Sequence, residues 1–398
     1  MANTIITSTE VLREAQRLLH QKLTFVGSID RQYDDRFKIG GSPNGGSILI
    51  KKPNKYVVRS GVTLSVQDTA EESQTLQTST RKGVDLHFTT NDLSMHINDF
   101  SKNYLRPAMS VLAANIEADA LNMVKDVYNA VDNDGATLTF AKLMAARGVL
   151  QNNLAPMGDR TALLNTDDNV AVVGELKGLF NEQKEIAKQN REGTIGMLAG
   201  FDFSESSLLS SQLTGTAAKT TTYLVQGAQT TNGDSTLTVD TGTTTFKAGD
   251  VITVAGCYRV HPESKATTGV LQNFVVTADY AGGAGAIDVS PAIYTSGGKQ
   301  NVVAAGWADN AAIVKVGAGA SEYYYPSVVY HKEAFAFATQ PLVMPDGVDF
   351  ARQEVFDGIS MRLIRQYTIS DDEFPCRIDV QYGYKTLYPE LACRIFSN

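Results

Sequence analysis

Cysteine is scarce in this chain. Three residues among 398, Cys257, Cys376 and Cys393, are too few and too scattered for a disulfide framework or a zinc knuckle, and they fit synthesis in a reducing cytoplasm. Positive charge is also short: 35 Lys and Arg against 43 Asp and Glu leave a formal net charge of -8. That balance excludes a dedicated nucleic-acid binder, which needs a basic face to displace counterions from phosphates. No apolar run approaches the ~20 residues of a membrane-spanning helix. The opening MANTIITSTEVLREAQ has no basic segment followed by an apolar one, so neither export by a signal peptide nor a membrane anchor is expected. Catalytic signatures are missing too: there is no G-x-S-x-G elbow, Walker loop, H-E-x-x-H or C-x-x-C.

What remains is an ordinary globular composition, 43% hydrophobic and 20% charged, in a chain long enough for two or three cores. Thr7 and Glu10 have capping-box spacing, and Val11, Leu12, Ala15, Leu18 and Leu19 share one stripe. This predicts an amphipathic helix over 8–22 with Arg13, Glu14 and Arg17 on its solvent side. The segment VGSIDRQYDDRFKIGGSPNGGS that follows reads as an extended arm. Between 46 and 90, the β-prone runs SILIKK, KYVVRS, TLQTST and VDLHFTT carry few large apolar residues. They predict a long two-stranded ribbon, marginal alone, that lies on something else. The longest helix is predicted over Lys102–Ala130, a spine on the order of 40 Å long, stopped by Asp132-Asn133-Asp134-Gly135. A helix over Phe140–Leu154, a strand TALLN, a helix over Asp167–Lys177 and the Gly-punctuated turn and strand of GTIGMLAGFDFSESSLL come next.

At about Thr214 the composition changes: charges thin out, Thr, Gly, Ala and Val dominate, and helical periodicity disappears. STLTVD, DVITVAGCYRV, LQNFVVTADY, AIDVS and AAIVKVG are predicted strands at near-regular spacing, the pattern of a small barrel or sandwich. Residues 213–322 therefore read as an all-β insertion in a mixed host. The closing FPCRIDVQYGYKTLYPELACRIFSN alternates Ile378, Val380, Tyr382 and Tyr384 with Arg377, Asp379, Gln381 and Gly383, the period of a half-buried strand. If 213–322 is inserted, these last strands must pair with strands made before it.

Each candidate for chemistry has a plainer reading. GGAGAID at 282–288 lacks the strand-turn-helix setting of a phosphate cradle and reads as a turn. Cys257 and His261 are two ligands where a tetrahedral site needs four. His20, His87, His96 and His331 stand alone in sequence, and Asp371-Asp372-Glu373 reads as a solvated turn rather than a cation site. Tyr323, Tyr324 and Tyr325 fit alternating burial in a strand better than base stacking. Lys51, Lys52, Lys55 and Arg59 make the ribbon locally basic, with Glu71 and Glu72 on its return limb. They are either solubilising charges or contacts to complementary charges on a neighbouring subunit.

The stretches KPNKYVVRSG, HFTTNDLSMHINDFSKNYLRPAMSVLAANIEADAL, GTIGMLAGFDFSESSLL, FKAGDVITVAGCYRVHPESKATTGVLQNFVV, HKEAFAFATQPL and the closing segment touch most of the chain. In their combination and order the chain resembles the major coat proteins of tailed bacteriophages, in particular the short-tailed branch whose coat carries an inserted β-barrel-like domain. The resemblance implies an α+β fold with an N-terminal helix and arm (1–39), an extended β-ribbon loop (40–88), and a spine helix with the first part of the peripheral and axial domains (89–212). It further implies the inserted all-β domain (213–322) and closing strands of the peripheral and axial domains (323–398). It implies no catalysis, metal or cofactor, and assembly of many copies, as hexamers and pentamers, into an icosahedral shell. The expected partners are a scaffolding protein, met by Arg13, Glu14 and Arg17, a portal, and double-stranded DNA held only non-specifically, with no membrane. Synthesis in the bacterial host cytoplasm, a procapsid that expands as DNA enters, and a final place in the virion capsid complete the expectation, without covalent cross-links between subunits.

A shell subunit needs an extended element that buries surface only on a neighbour, and adaptable polar contacts; a ribbon with little core of its own and 8% aromatics fit that. Two alternatives stay open at this point: a compartment shell of the encapsulin type that loads protein cargo, and an enzyme or carbohydrate-binding protein with the β insertion as its module. The latter would show an exposed aromatic platform, and Trp307 is the single tryptophan.

Overall fold

The computed structural model describes residues 8–31, 46–64, 66–67, 71–89, 101–133, 136–176, 196–317, 319–356, 358–370 and 373–397. The chain divides into two compact units. One is drawn from Met1–Ile50, Ser73–Leu121 and Phe335–Leu387, the other from Lys51–Glu72, Asn122–Ala334 and Tyr388–Asn398. Thr7, most of the arm, His96, Asp371 and Asp372 lie outside the described residues.

In the first unit, α1 (Ser8–Lys22) buries the predicted stripe Val11, Leu12, Ala15, Leu18 and Leu19. A short helix α2 (Phe25–Ser28) follows it. The spine helix α3 (Arg106–Leu121) buries Ala108, Met109, Leu112, Ala113, Ile116 and Ala120, spaced three and four apart as one helix face requires. Its Glu117 turns inward, where the carboxylate accepts the backbone N–H groups of Thr24, Phe25 (2.6 Å) and Val26 (3.1 Å), the orphan donors at the start of α2. Burial pushes the Glu117 carboxyl above its usual range, and these three bonds act against that shift.

The five-stranded sheet of this unit is organised by the 14-residue strand Glu373–Thr386. One edge pairs antiparallel with Thr80–Thr89, while the other serves Ile359–Arg365 along one half and Phe335–Gln340 along the other. Opposite charges meet across it: Asp85 faces Arg377 in register at 2.8 Å, and the buried Asp379 takes Arg81 at 2.5 Å and Arg362 at 2.8 Å. Those partners explain why Asp379 sits buried in what alternation alone reads as the solvent face.

In the second unit a six-stranded mixed sheet runs in the order Ala130–Asp132, Ala392–Phe396, Ser327–His331, Arg160–Leu164, Phe201–Glu205, Met197–Leu198. Helices α4 (Phe140–Asn152) and α5 (Thr166–Leu176) cover it, burying Leu143, Ala146, Leu150, Val172 and Leu176 against Ala162, Leu164, Val329 and Ile395. A second six-stranded sheet runs Asp234–Val239, Gly285–Ile293, Thr267–Val276, Val251–Val260, Ala312–Lys315, Thr220–Leu224. Its two end strands meet: Val225 bridges Val239, Gln226 N–H donates to Thr238 O at 2.9 Å and Asp240 N–H to Leu224 O at 3.2 Å. Inside lie Tyr223, Val254, Cys257, Phe274, Ile287 and Trp307, with the Phe274 and Trp307 rings edge to face at 5.5 Å. The chain enters and leaves this sheet through a two-residue pair, Gln212–Leu213 with Tyr323–Tyr324.

Two expectations are corrected and one strand is added. The spine is shorter than Lys102–Ala130: a π turn over Ser101–Leu105 precedes α3, a 3-10 turn over Asn122–Asp126 follows, and Ala130–Asp132 is a strand parallel to Ala392–Phe396. The carbonyls of Val127 and Asn129 are claimed by the Arg394 side chain and backbone instead of by the next helical turn. The ribbon is shorter too, pairing only Ser47–Lys52 with Glu72–Gln77, because Thr80–Thr89 finds a full ladder on Glu373–Thr386. Finally, Thr220–Leu224, whose polar TTTYL run shows little apolar alternation, is a strand absent from the sequence reading.

Candidate assembly surfaces

Residues 53–64 and 66–67 leave the ribbon with no strand pairing among them; the stretch 53–67 is here called the finger. Its sequence, PNKYVVRSGVTLSVQ, is β-prone, but no strand of its own chain pairs with its described residues. The result is an apolar surface held in solvent: Val58 is 89% exposed, Val62 98%, Leu64 79% and Val66 82%. Scattered single apolar residues are normal on a surface, but four large aliphatics within nine positions mark a place where something else packs.

The base of the finger is anchored inside the second unit. Lys51 pairs with Glu71 at 2.6 Å across the ribbon, Lys299 with Glu72 at 2.7 Å, and the Lys52 ammonium lies 5.2 Å from the Tyr388 ring centre. Backbone meets backbone at Gly298, where a Cβ would lie 2.1 Å from the Lys55 carbonyl oxygen. Arg59 Nη1 donates to the carbonyls of Gly61 and, at 3.2 Å, Thr63. Lys51, Lys52, Arg59, Glu71 and Glu72 thus have partners in their own chain, and the aliphatic row stands exposed beside them. That row was legible as apolar letters in a stretch without a core, but alternation gave no reason to separate it from an ordinary strand.

At the stem of the second six-stranded sheet, charges are buried instead. Arg394 is fully buried; Nε donates to Val127 O at 2.8 Å, Nη1 to Gln212 Oε1 at 2.9 Å and Nη2 to Gly249 O at 3.0 Å, with the Phe396 ring 5.1 Å away. Burial pushes its guanidinium down to about 10. Asp250 Oδ2 receives the N–H groups of Gly215 (3.0 Å) and Lys247 (2.8 Å), and Lys315 donates to Thr214 Oγ1 at 3.3 Å. A second buried carboxylate, Asp168, accepts from Ser327 Oγ at 2.5 Å, from Ser397 Oγ and from Leu138 N at 3.2 Å; burial raises it. None of these residues stood out in the sequence, because a lone Arg in a strand or Asp in a helix has no distinguishing spacing.

On α1, Arg13 pairs with Glu354 at 2.9 Å, and Glu14 and Arg17 pair with each other at 2.7 Å on the helix surface. Cys257 is buried in the core, its thiol pushed up to about 12, and His261 Nδ1 accepts the N–H groups of Glu263 and Ser264 at 3.2 Å in a turn. Among the described residues no group of three or more His, Cys, Asp or Glu side chains is placed to hold a metal ion. No described helix is long and apolar enough to cross a membrane.

The described residues thus form an α+β subunit that holds an apolar finger in solvent. A profile of the family described as "P22 coat protein - gene protein 5" matches residues 61–396, and the chain belongs to that family. It is a major capsid protein of a phage shell, a structural role played by many copies of itself. Among solved structures, the chain is similar to one from Mycobacterium phage Che8 (13% identity, 94% of this chain and 90% of that one, TM-score 0.47). It is likewise similar to the capsid of Cyanophage P-SCSP1u (11%, 91% and 85%, TM-score 0.44) and to the virus-like particle from Pyrococcus furiosus (7%, 97% and 98%, TM-score 0.42). No curated protein sequence matches the chain.

Proposed function

We propose that this coat protein assembles first into a scaffold-assisted procapsid in the bacterial host cytoplasm and that the shell expands as double-stranded DNA enters through a portal. The finger is the element that closes each subunit onto the next copy. The observation that carries this reading is the aliphatic row at 58, 62, 64 and 66, exposed in the single chain, which a second copy lying over it would cover. Burial of such a row stabilises a contact through the hydrophobic effect, roughly 25 cal/mol for each Å² removed from water, while the acidic net charge of -8 keeps packaged DNA from adhering to the wall.

In this reading residues 213–322 are the inserted β-barrel domain, its sheet closed by the Val225–Val239 bridge. Glu14 and Arg17 on α1, with Arg13, form the surface offered to the scaffolding protein. Lys51, Lys52, Lys55, Arg59, Glu71 and Glu72 set the finger's attitude toward the neighbouring subunit. The test is expression of the full chain with and without the phage's scaffolding protein, followed by sedimentation and electron microscopy. Closed shells of uniform size are expected with the partner, and a subunit that stays monomeric in every condition sinks the reading. Recovery of DNA, rather than a protein cargo, from particles isolated from infected cells separates a genome shell from a compartment.

A further inference from the structure

The described residues of the finger form no ladder, yet they are tied internally by two side chains. Val57 N–H donates to Gln67 Oε1 at 2.8 Å, and Gln67 Nε2 donates to Val57 O at 2.6 Å, so one side-chain amide stands in for a strand partner on the opposite limb. Farther out, the Arg59 guanidinium gathers the carbonyls of Gly61 and Thr63, closing the tip around Gly61, whose φ of 91° is open to glycine. Both ties bond to backbone, so they act on the loop's shape rather than on its surface. The aliphatic side chains between and beside them, Val58, Val62, Leu64 and Val66, are left facing water.

We propose that Gln67 and Arg59 are positioning residues for assembly: they hold the finger in its docking shape before a second copy arrives. This rests on the reading that the finger docks on a neighbour. A loop that must be ordered at the moment of docking loses affinity to the entropy of ordering, whereas one already shaped does not. For Arg59 the proposal separates two roles. As a charge reaching across the interface, it could be replaced by Lys and its effect would weaken with salt. As the tie that meets two carbonyls of its own loop through Nη1, whose two N–H groups are fixed in the guanidinium plane, it could not, because a Lys ammonium is a shorter, flexible point donor without that planar geometry.

The experiment compares full-length Gln67→Ala, Gln67→Glu, Arg59→Ala, Arg59→Lys and Val62→Asp with the parent chain. The concentration threshold for assembly is read by light scattering at two salt concentrations, together with the unfolding midpoint and hydrogen exchange at the Val57 amide in the unassembled subunit. Gln67→Ala is expected to raise the threshold about tenfold, as lost pre-organisation predicts, and to deprotect the Val57 amide with the unfolding midpoint unmoved. Gln67→Glu, which keeps an acceptor for Val57 N–H but loses the donor, falls between. Arg59→Lys behaves like Arg59→Ala, with the parent's salt dependence. If Val62→Asp blocks assembly while both alanine variants assemble at the parent threshold, the positioning proposal is wrong and the docking reading stands. If Val62→Asp assembles normally, the docking reading itself fails. Rescue by Arg59→Lys with a salt-weakened effect makes Arg59 an interfacial charge and removes it from the proposal.

Discussion

The finger and the second six-stranded sheet are written in similar letters and end in opposite conditions. Val58, Val62 and Val66 stand in water, while Val225, Val239, Val254 and Val276 are buried to within a few per cent. Both stretches are rich in β-branched residues. In the sheet each strand finds two flanking ladders and an opposing inner face, so its apolar side chains close a core within one chain; even the two end strands bond to each other. The finger's ribbon stops pairing after Lys52, and its described residues find no such face. Sequence hydrophobicity therefore measures a demand for burial, and topology decides whether the rest of the same chain meets that demand.

The sharpest way to break this comparison is to put charge into each region. Val62→Asp together with Leu64→Asp should abolish shell formation in sedimentation while leaving the unfolding midpoint of the subunit in place; a shifted midpoint would mean the finger is core after all. Cutting the sealed region does the reverse. Phe274→Ala, which leaves a hole beside Trp307, should cost about 3–5 kcal/mol in denaturant unfolding followed by the single tryptophan. At the stem, Arg394→Met removes the donor of three buried bonds and strands Gln212 Oε1 and the Val127 and Gly249 carbonyls. A loss of about 2–4 kcal/mol is expected, and an unchanged stability would show that the stem tolerates apolar replacement. Gly298→Ala forces Cβ against the Lys55 carbonyl, and the finger base should shift, visible as faster exchange of amides near 55 with only a small change in stability.

The smallest effect follows pH. His331 is buried, and burial holds its imidazole below the usual range by disfavouring the charged form; Glu333 and Asp159 act against that shift. The unfolded chain then takes up the proton first. Stability should be intact above the ordinary imidazole value near 6.5 and decline as pH falls from there toward the lowered folded value, with no further loss below it. His331→Gln should flatten that limb in a pH series of unfolding midpoints, and an unchanged limb would assign it to other groups.

Much of the fold was legible where periodicity and burial coincide. The α1 stripe, the strands from Asp234 to Lys315 and the closing strand Glu373–Thr386 needed only a period and a turn signal. Legibility failed where one pattern serves two structures. Val127 and Tyr128 continue the apolar run of α3, yet their segment leaves the helix for a sheet edge, because Asn129 and Arg394 offer partners that only the fold brings near. Thr80–Thr89 alternates as a hairpin limb would, and a longer ladder captured it. The candidate site was half legible: the ribbon and its charges could be named, but not that Lys51, Lys52, Arg59, Glu71 and Glu72 close on their own chain while the valines stand in water.

The order of letters alone determined the class of this protein: a mixed chain with a composition break near Thr214, apolar periods for its helices and strands, and a β-prone stretch after Pro53 with nothing local to cover it. Tertiary structure alone decided which partners those letters met, bringing Arg394 to Gln212 and Gly249, Glu117 to the start of α2, and leaving Val62 98% exposed. The reason is physical: propensity and periodicity act over a few residues, whereas hydrogen-bond satisfaction and burial are settled between segments hundreds of positions apart.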